Sequence, residues 1–134
     1  MKKYYYLLLV ALCTFFVSCG GNSPKTVAEK FAKAYLVNHD VKEFTKFLDT
    51  RTREALLDPI MAEYHLEQQA IVKELKLKYT VNKEKSFVNE AGAAIYFDIT
   101  SDTDPNYKKC QYVDLKKDLD GKWFVDLYTF PTRF

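Results

Sequence analysis

Three regimes of apolar patterning follow one another along the chain. From Tyr4 to Val17 the run "YYYLLLVALCTFFV" carries no charge. From Ser23 the apolar residues recur at helical spacing, and after Leu75 they alternate. Ser23 suits an N-cap and Pro24 a first helical position. Val27, Phe31, Ala34 and Tyr35 then predict an amphipathic helix over 24–38. Asn38-His39-Asp40 breaks it. Asp40 with Glu43 resembles a capping box, and Val41, Phe44, Phe47 and Leu48 predict a short helix over 41–49. Thr50 to Leu57 reads as a further helical turn or two. Asp58-Pro59 is a fresh start, and Ile60, Met61, Tyr64, Ile71 and Val72 carry a helix to about residue 74.

Leu75, Leu77, Tyr79 and Val81 alternate with Lys76, Lys78, Thr80 and Asn82, which is strand patterning. Asn89 to Gly92 reads as a turn. Ala93 to Thr100 predicts a strand with Ile95, Phe97 and Ile99 on one face. After the polar loop Ser101–Asn106, Tyr107 to Lys117 predicts a third strand with Val113 and Leu115 inward. Asp120-Gly121 is a hairpin signal. Trp123 to Phe130 predicts a last strand with Trp123, Val125 and Leu127 inward. Helices followed by consecutive hairpins give an α+β class: N-terminal helices packed on one face of a curved, cone-like, four-stranded antiparallel sheet.

Charge sharpens the reading of the first regime. Lys2 and Lys3 account for the whole net charge of +2, because the remaining 18 basic and 18 acidic residues cancel. A cationic start, a 14-residue apolar run and small residues after it form a signal-peptide pattern. As a helix that run reaches about 21 Å, short of a ~30 Å hydrocarbon core. Removing 18 leader residues from 134 leaves 116, enough to bury roughly two-thirds of the unfolded surface in one core. The neutral remainder lacks the basic excess of a nucleic-acid binder, and an aromatic content of 16% argues against disorder.

Phe16-Val17-Ser18-Cys19 resembles the lipobox of a bacterial lipoprotein leader, although that pattern most often has Leu where Phe16 stands. The resemblance implies cleavage before Cys19, a diacylglycerol on its thiol and an N-acyl chain on its new amine. More than one acyl chain is what durable anchoring requires. The organisation expected is a signal peptide over 1–18, the lipidated Cys19 with a short tether over 19–23, and one α+β domain over 24–134. The alternative is plain secretion, with Cys19 incidental or paired with Cys110. In Bacteroidetes-type lipoproteins, acids just after the cysteine direct surface export. None follows Cys19 before Glu29, so the resemblance favours the periplasmic face of the outer membrane.

A second resemblance spans about residues 23–130. The order of three helices and four strands, with the closing "DGKWFVDLY" and the opening "SPKTVAEKFAKAYLVNHDVKEFTKFLD", is similar to small lipoproteins with a nuclear transport factor 2-like (cystatin-like) domain. It implies a fold and little chemistry.

Catalytic patterns are sparse. Glycine stands only at 20, 21, 92 and 121, which leaves no phosphate-binding loop. His39 and His65 lack metal-ligand spacing and read as ordinary structural or surface residues. "DTDPN" at 102–106 imitates a calcium loop, but Tyr107 replaces its sixth-position glycine and Val113 its twelfth-position glutamate. Cys110 reads as a small buried apolar group. No catalytic residue, resident cofactor or metal is therefore expected. What remains is the sheet's other face, where strict alternation collects Tyr96, Asp98, Cys110, Tyr112, Asp114, Phe124, Asp126, Tyr128 and Phe130. A solvated face is the plain reading. A contact surface for a protein partner or a second copy is the functional one. The expected function is a non-enzymatic, membrane-anchored envelope module that binds a partner protein, a copy of itself or a small apolar ligand, with no nucleic-acid partner. The alternative is a tethered enzyme using Asp98 or Asp126 as base and tyrosines as donors.

Overall fold

The structure is a computed structural model that describes residues 23–131. The leader, Cys19 and the tether expected from the sequence lie outside the described residues, apart from Ser23. Among the described residues four α-helices precede a four-stranded antiparallel sheet, so the class is α+β as expected. The helices are α1 (Pro24–Ala32), α2 (Val41–Phe44), α3 (Thr50–Leu56) and α4 (Ala62–Leu75). The strands are β1 (Leu77–Asn89), β2 (Gly92–Ser101), β3 (Lys108–Lys117) and β4 (Trp123–Tyr128), in the spatial order of the sequence.

The starts of α1, α2 and α3, and of the 3-10 turn Pro59–Met61 that leads into α4, are each made by a side chain that takes up an otherwise unpaired backbone N–H. Ser23 accepts from the Thr26 N–H, Asp40 from Glu43, Asp49 from Thr52 and Asp58 from Ile60. The first helix does not stay regular to residue 38. Lys33–Val37 widens into a π-helical turn. An α-helix rotates residues four apart steadily away from one another, and the wider turn reverses that drift. Val27, Phe31, Tyr35 and His39 therefore all remain buried on the sheet side.

The core lies between α1, its π-turn, α2 and the covered face of the sheet. Phe31 is its centre. Its ring stacks on Phe130 (5.8 Å, 17°) and meets Phe44 edge-on (6.0 Å, 88°). Ile95, Phe97, Ile99, Val113, Leu115 and Val125 close it from below. Such ring pairs add about 0.5–1.5 kcal/mol each to what burial alone contributes.

Two irregularities set the sheet's faces. In β1, register is lost between Asn82 and Phe87, so Lys83 to Ser86 bulge out opposite Ile95. In β4, Leu115 pairs with Val125 and Asp114 with Leu127, which leaves Asp126 as an extra residue. A one-residue slip turns every following side chain to the other face. This corrects the expected alternation. Leu127, expected inward, is 52% exposed. Tyr128 and Phe130, expected on the open face, turn into the core and pack on Phe31 and Tyr35. Cys110 is also corrected: it is an exposed free thiol. On the far edge, Leu48 bridges in parallel to Val125 and covers part of β4.

Candidate functional site

The open face keeps the rest of its expected set. Tyr96 and Tyr112 stand opposite each other, with rings 5.1 Å apart. Asp98 is exposed and accepts a hydrogen bond from Asn82 Nδ2 (3.3 Å). Asp126 pairs with Lys116 (3.0 Å), and Phe124 is half-buried opposite the same lysine. Asp114 is half-buried opposite Leu127. Among the described residues these groups form a mixed aromatic and carboxylate surface.

The groups that do converge are on the other side of the sheet. A cavity of about 240 Å³ is lined by Tyr35, His39, Phe44, Leu56, Met61, Tyr64, His65 and Tyr128. The π-turn supplies Tyr35, and the bulge at Asp126 supplies Tyr128. The link after the π-turn supplies His39, whose φ of 44° is a left-handed conformation. For a residue with a Cβ that conformation costs about 1–2 kcal/mol. Gln69 of α4 holds the His39 carbonyl through its Nε2 (3.2 Å). Met61 immediately precedes α4, and His65 lies one turn further along it.

Both imidazoles are tied by backbone carbonyls. His39 Nδ1–H donates to the Tyr35 carbonyl (3.3 Å), and His65 Nε2–H donates to the Leu56 carbonyl (2.8 Å). In neutral rings the lone pairs then sit on His39 Nε2 and His65 Nδ1. The ring centroids are 6.1 Å apart. His65 is 8% exposed, and its Nδ1 is buried with no hydrogen-bond partner among the described residues. Burial lowers the His39 pKa to about 4, against the opposing effect of its bond to Tyr35. It therefore stays uncharged at neutral pH. Burial, reinforced by neighbouring tyrosines, also raises the Tyr35 and Tyr128 phenols. Tyr35 OH donates to the Pro131 carbonyl.

No protein-family model matches the chain, and no characterised protein or solved structure is measurably similar to it.

The site therefore has to be read from its own chemistry. Sequence reasoning set both histidines aside because they are 26 positions apart with no ligand spacing. What brings them together is α4 packing back against the turn at His39. The signal that was present is Met61 with His65, four apart and so on one helix face. Among the described residues, no group of three or more His, Cys, Asp or Glu side chains is placed to hold a metal ion. No described helix is long and apolar enough to cross a membrane.

Proposed function

We propose that the chain is a lipid-anchored protein of a bacterial envelope that binds a small ligand in the His39–His65 cavity and does no chemistry on it. One observation carries the ligand site: His65, which lines an aromatic-walled cavity, has a buried Nδ1 that finds no partner among the described residues. The large majority of buried side-chain polar atoms in native proteins have a partner. The natural occupant is thus an electron-pair acceptor, either a hydrogen-bond donor or a metal centre, small enough for about 240 Å³. Pockets of this kind, mostly apolar with a few convergent polar groups, are the usual form of ligand sites.

Binding is favoured over catalysis by where the acids stand. Asp98 and Asp126 are exposed on the face opposite the cavity. The anchor rests on the lipobox resemblance at Cys19, and the periplasmic side of an outer membrane on the lack of acids directly after it. The open face, with Tyr96, Asp98, Tyr112, Asp114, Phe124 and Asp126, is left as the surface for a protein partner or a second copy.

Native mass spectrometry of the chain extracted from its own membranes tests the ligand reading. Wild type should carry a bound mass that Leu56→Trp, which fills the cavity, and His65→Phe, which removes the lone pair, both lack. Identical bare masses for all three overturn it. Membrane fractionation tests the anchor: Cys19→Ala should leave the membrane fraction, and retention equal to wild type overturns lipidation.

A further inference from the structure

We propose that the cavity binds a soft monovalent metal ion, Cu(I), through His39, Met61 and His65. The inference rests on the reading of this cavity as the ligand site and names the class of its occupant. Its first support is donor type. Imidazole and thioether are soft or borderline donors suited to Cu(I), whereas carboxylate and carbonyl oxygens suit Mg, Ca and Mn. Two imidazoles and one thioether line the cavity, and no carboxylate is among the lining residues.

Charge points the same way. The cost of moving an ion into an apolar site rises with the square of its charge, and an unpaired buried charge is expensive. With neutral donors alone, a divalent ion would bring two uncompensated charges and a monovalent ion one. A structural zinc site takes four ligands, commonly including thiolates. The described residues hold no group of three His, Cys, Asp or Glu side chains that could begin one.

Geometry supplies the second support. Metal–imidazole bonds of about 2.0 Å, opened over the angles Cu(I) adopts, put two ring centroids roughly 5–6.5 Å apart. The observed separation is 6.1 Å. Each ring also has the outer hydrogen bond typical of a metal-bound histidine, its second N–H donated to a backbone carbonyl. Here the acceptors are Tyr35 and Leu56. Those bonds leave the lone pairs on His39 Nε2 and His65 Nδ1. Met61 and His65, four apart, both line the cavity. The left-handed backbone at His39 is the kind of local strain that persists where a side chain must be held in a set place. Tyr35, Phe44, Tyr64 and Tyr128 give the site an aromatic wall.

The test is an anaerobic titration of the full chain in detergent against bicinchoninate, a coloured Cu(I) chelator. Cys13, Cys19 and Cys110 are all replaced by serine so that no thiolate supplies the affinity. The parent should withdraw one equivalent of Cu(I) from the chelator and none of a matched Zn(II) probe. Met61→Leu, which keeps volume and apolarity, should weaken binding about tenfold. His65→Phe and His39→Asn should weaken it by more than the roughly 10–100-fold that loss of an outer partner costs. Circular dichroism shows whether each variant is folded. Failure of the folded parent to withdraw Cu(I) overturns the proposal, as does Cu(I) affinity unchanged in all three variants or Zn(II) bound as tightly. If Cu(I) is not withdrawn while native mass spectrometry finds an organic ligand lost in Leu56→Trp, the metal assignment falls and the ligand site stands. If neither ligand nor metal is found, both fall.

Discussion

The two faces of the sheet carry similar residues under opposite conditions. Each has several tyrosines and phenylalanines. On the open face Tyr96 and Tyr112 lean on each other beside exposed carboxylates. On the covered face Tyr35, Tyr128 and Phe130 surround Phe31, and Tyr35 and Tyr128 border two buried imidazoles. The same chemical types are surface on one side and site on the other. Desolvation makes the difference, because it lowers the His39 pKa and raises the phenols.

The sharpest way to break this comparison is truncation. Phe31→Ala should cost about 3–5 kcal/mol, and Tyr96→Ala about 1 kcal/mol, the loss of one cross-strand pair. Urea unfolding monitored through Trp123 checks both. Equal losses would remove the distinction between the faces.

The bulge at Asp126 gives the next largest contrast. Tyr128→Ala should cost about 3 kcal/mol, while Leu127→Ala costs under about 1 kcal/mol because its side chain is half in water. The reverse order would restore an unbulged β4 with Leu127 inward.

Acid titration follows in size. The folded His39 pKa, near 4, lies below the ordinary value of 6.5. Between those values the unfolded chain binds a proton that the folded one refuses, so stability falls as pH drops through that window and is unaffected above it. Allowing for partial water access to the ring, the loss is about 1–2 kcal/mol. His39→Asn tolerates the left-handed backbone and should flatten the slope between pH 6.5 and 4. A slope of unchanged size would place the titration elsewhere.

The smallest effect belongs to the open face. The Lys116–Asp126 pair has both side chains partly in water. A double-mutant cycle with Lys116→Ala and Asp126→Ala should give a coupling below about 1 kcal/mol that shrinks in salt.

The local parts of the fold were legible in sequence. Ser23, Asp40 and Asp58 cap helical turns because a short oxygen-bearing side chain before a helical run has a backbone donor to satisfy. The change from helical to alternating spacing at Leu75–Leu77 marks where α4 ends, at the left-handed Lys76, and β1 begins. The faces of β4 were not legible, since alternation assumes one residue for one and a bulge breaks that count without changing composition. Placing Trp123, Val125, Tyr128 and Phe130 inward buries more apolar volume than strict alternation does. That comparison needed the register to be known first. The cavity was hidden for a related reason. Its members come from the π-turn, from the link that holds His39, from α4 and from β4, and only packing puts His39 within a ring's reach of His65.

The two edges of the sheet are closed in different ways. A segment from between the helices lies along β4 at Leu48, and the β1 edge is broken by Lys83, Glu84 and Lys85 where an incoming strand would need a straight row of amides. Charged, kinked edges of this sort resist strand addition. Strand addition is thereby disfavoured along Lys83–Ser86 of β1 and beside Leu48 on β4.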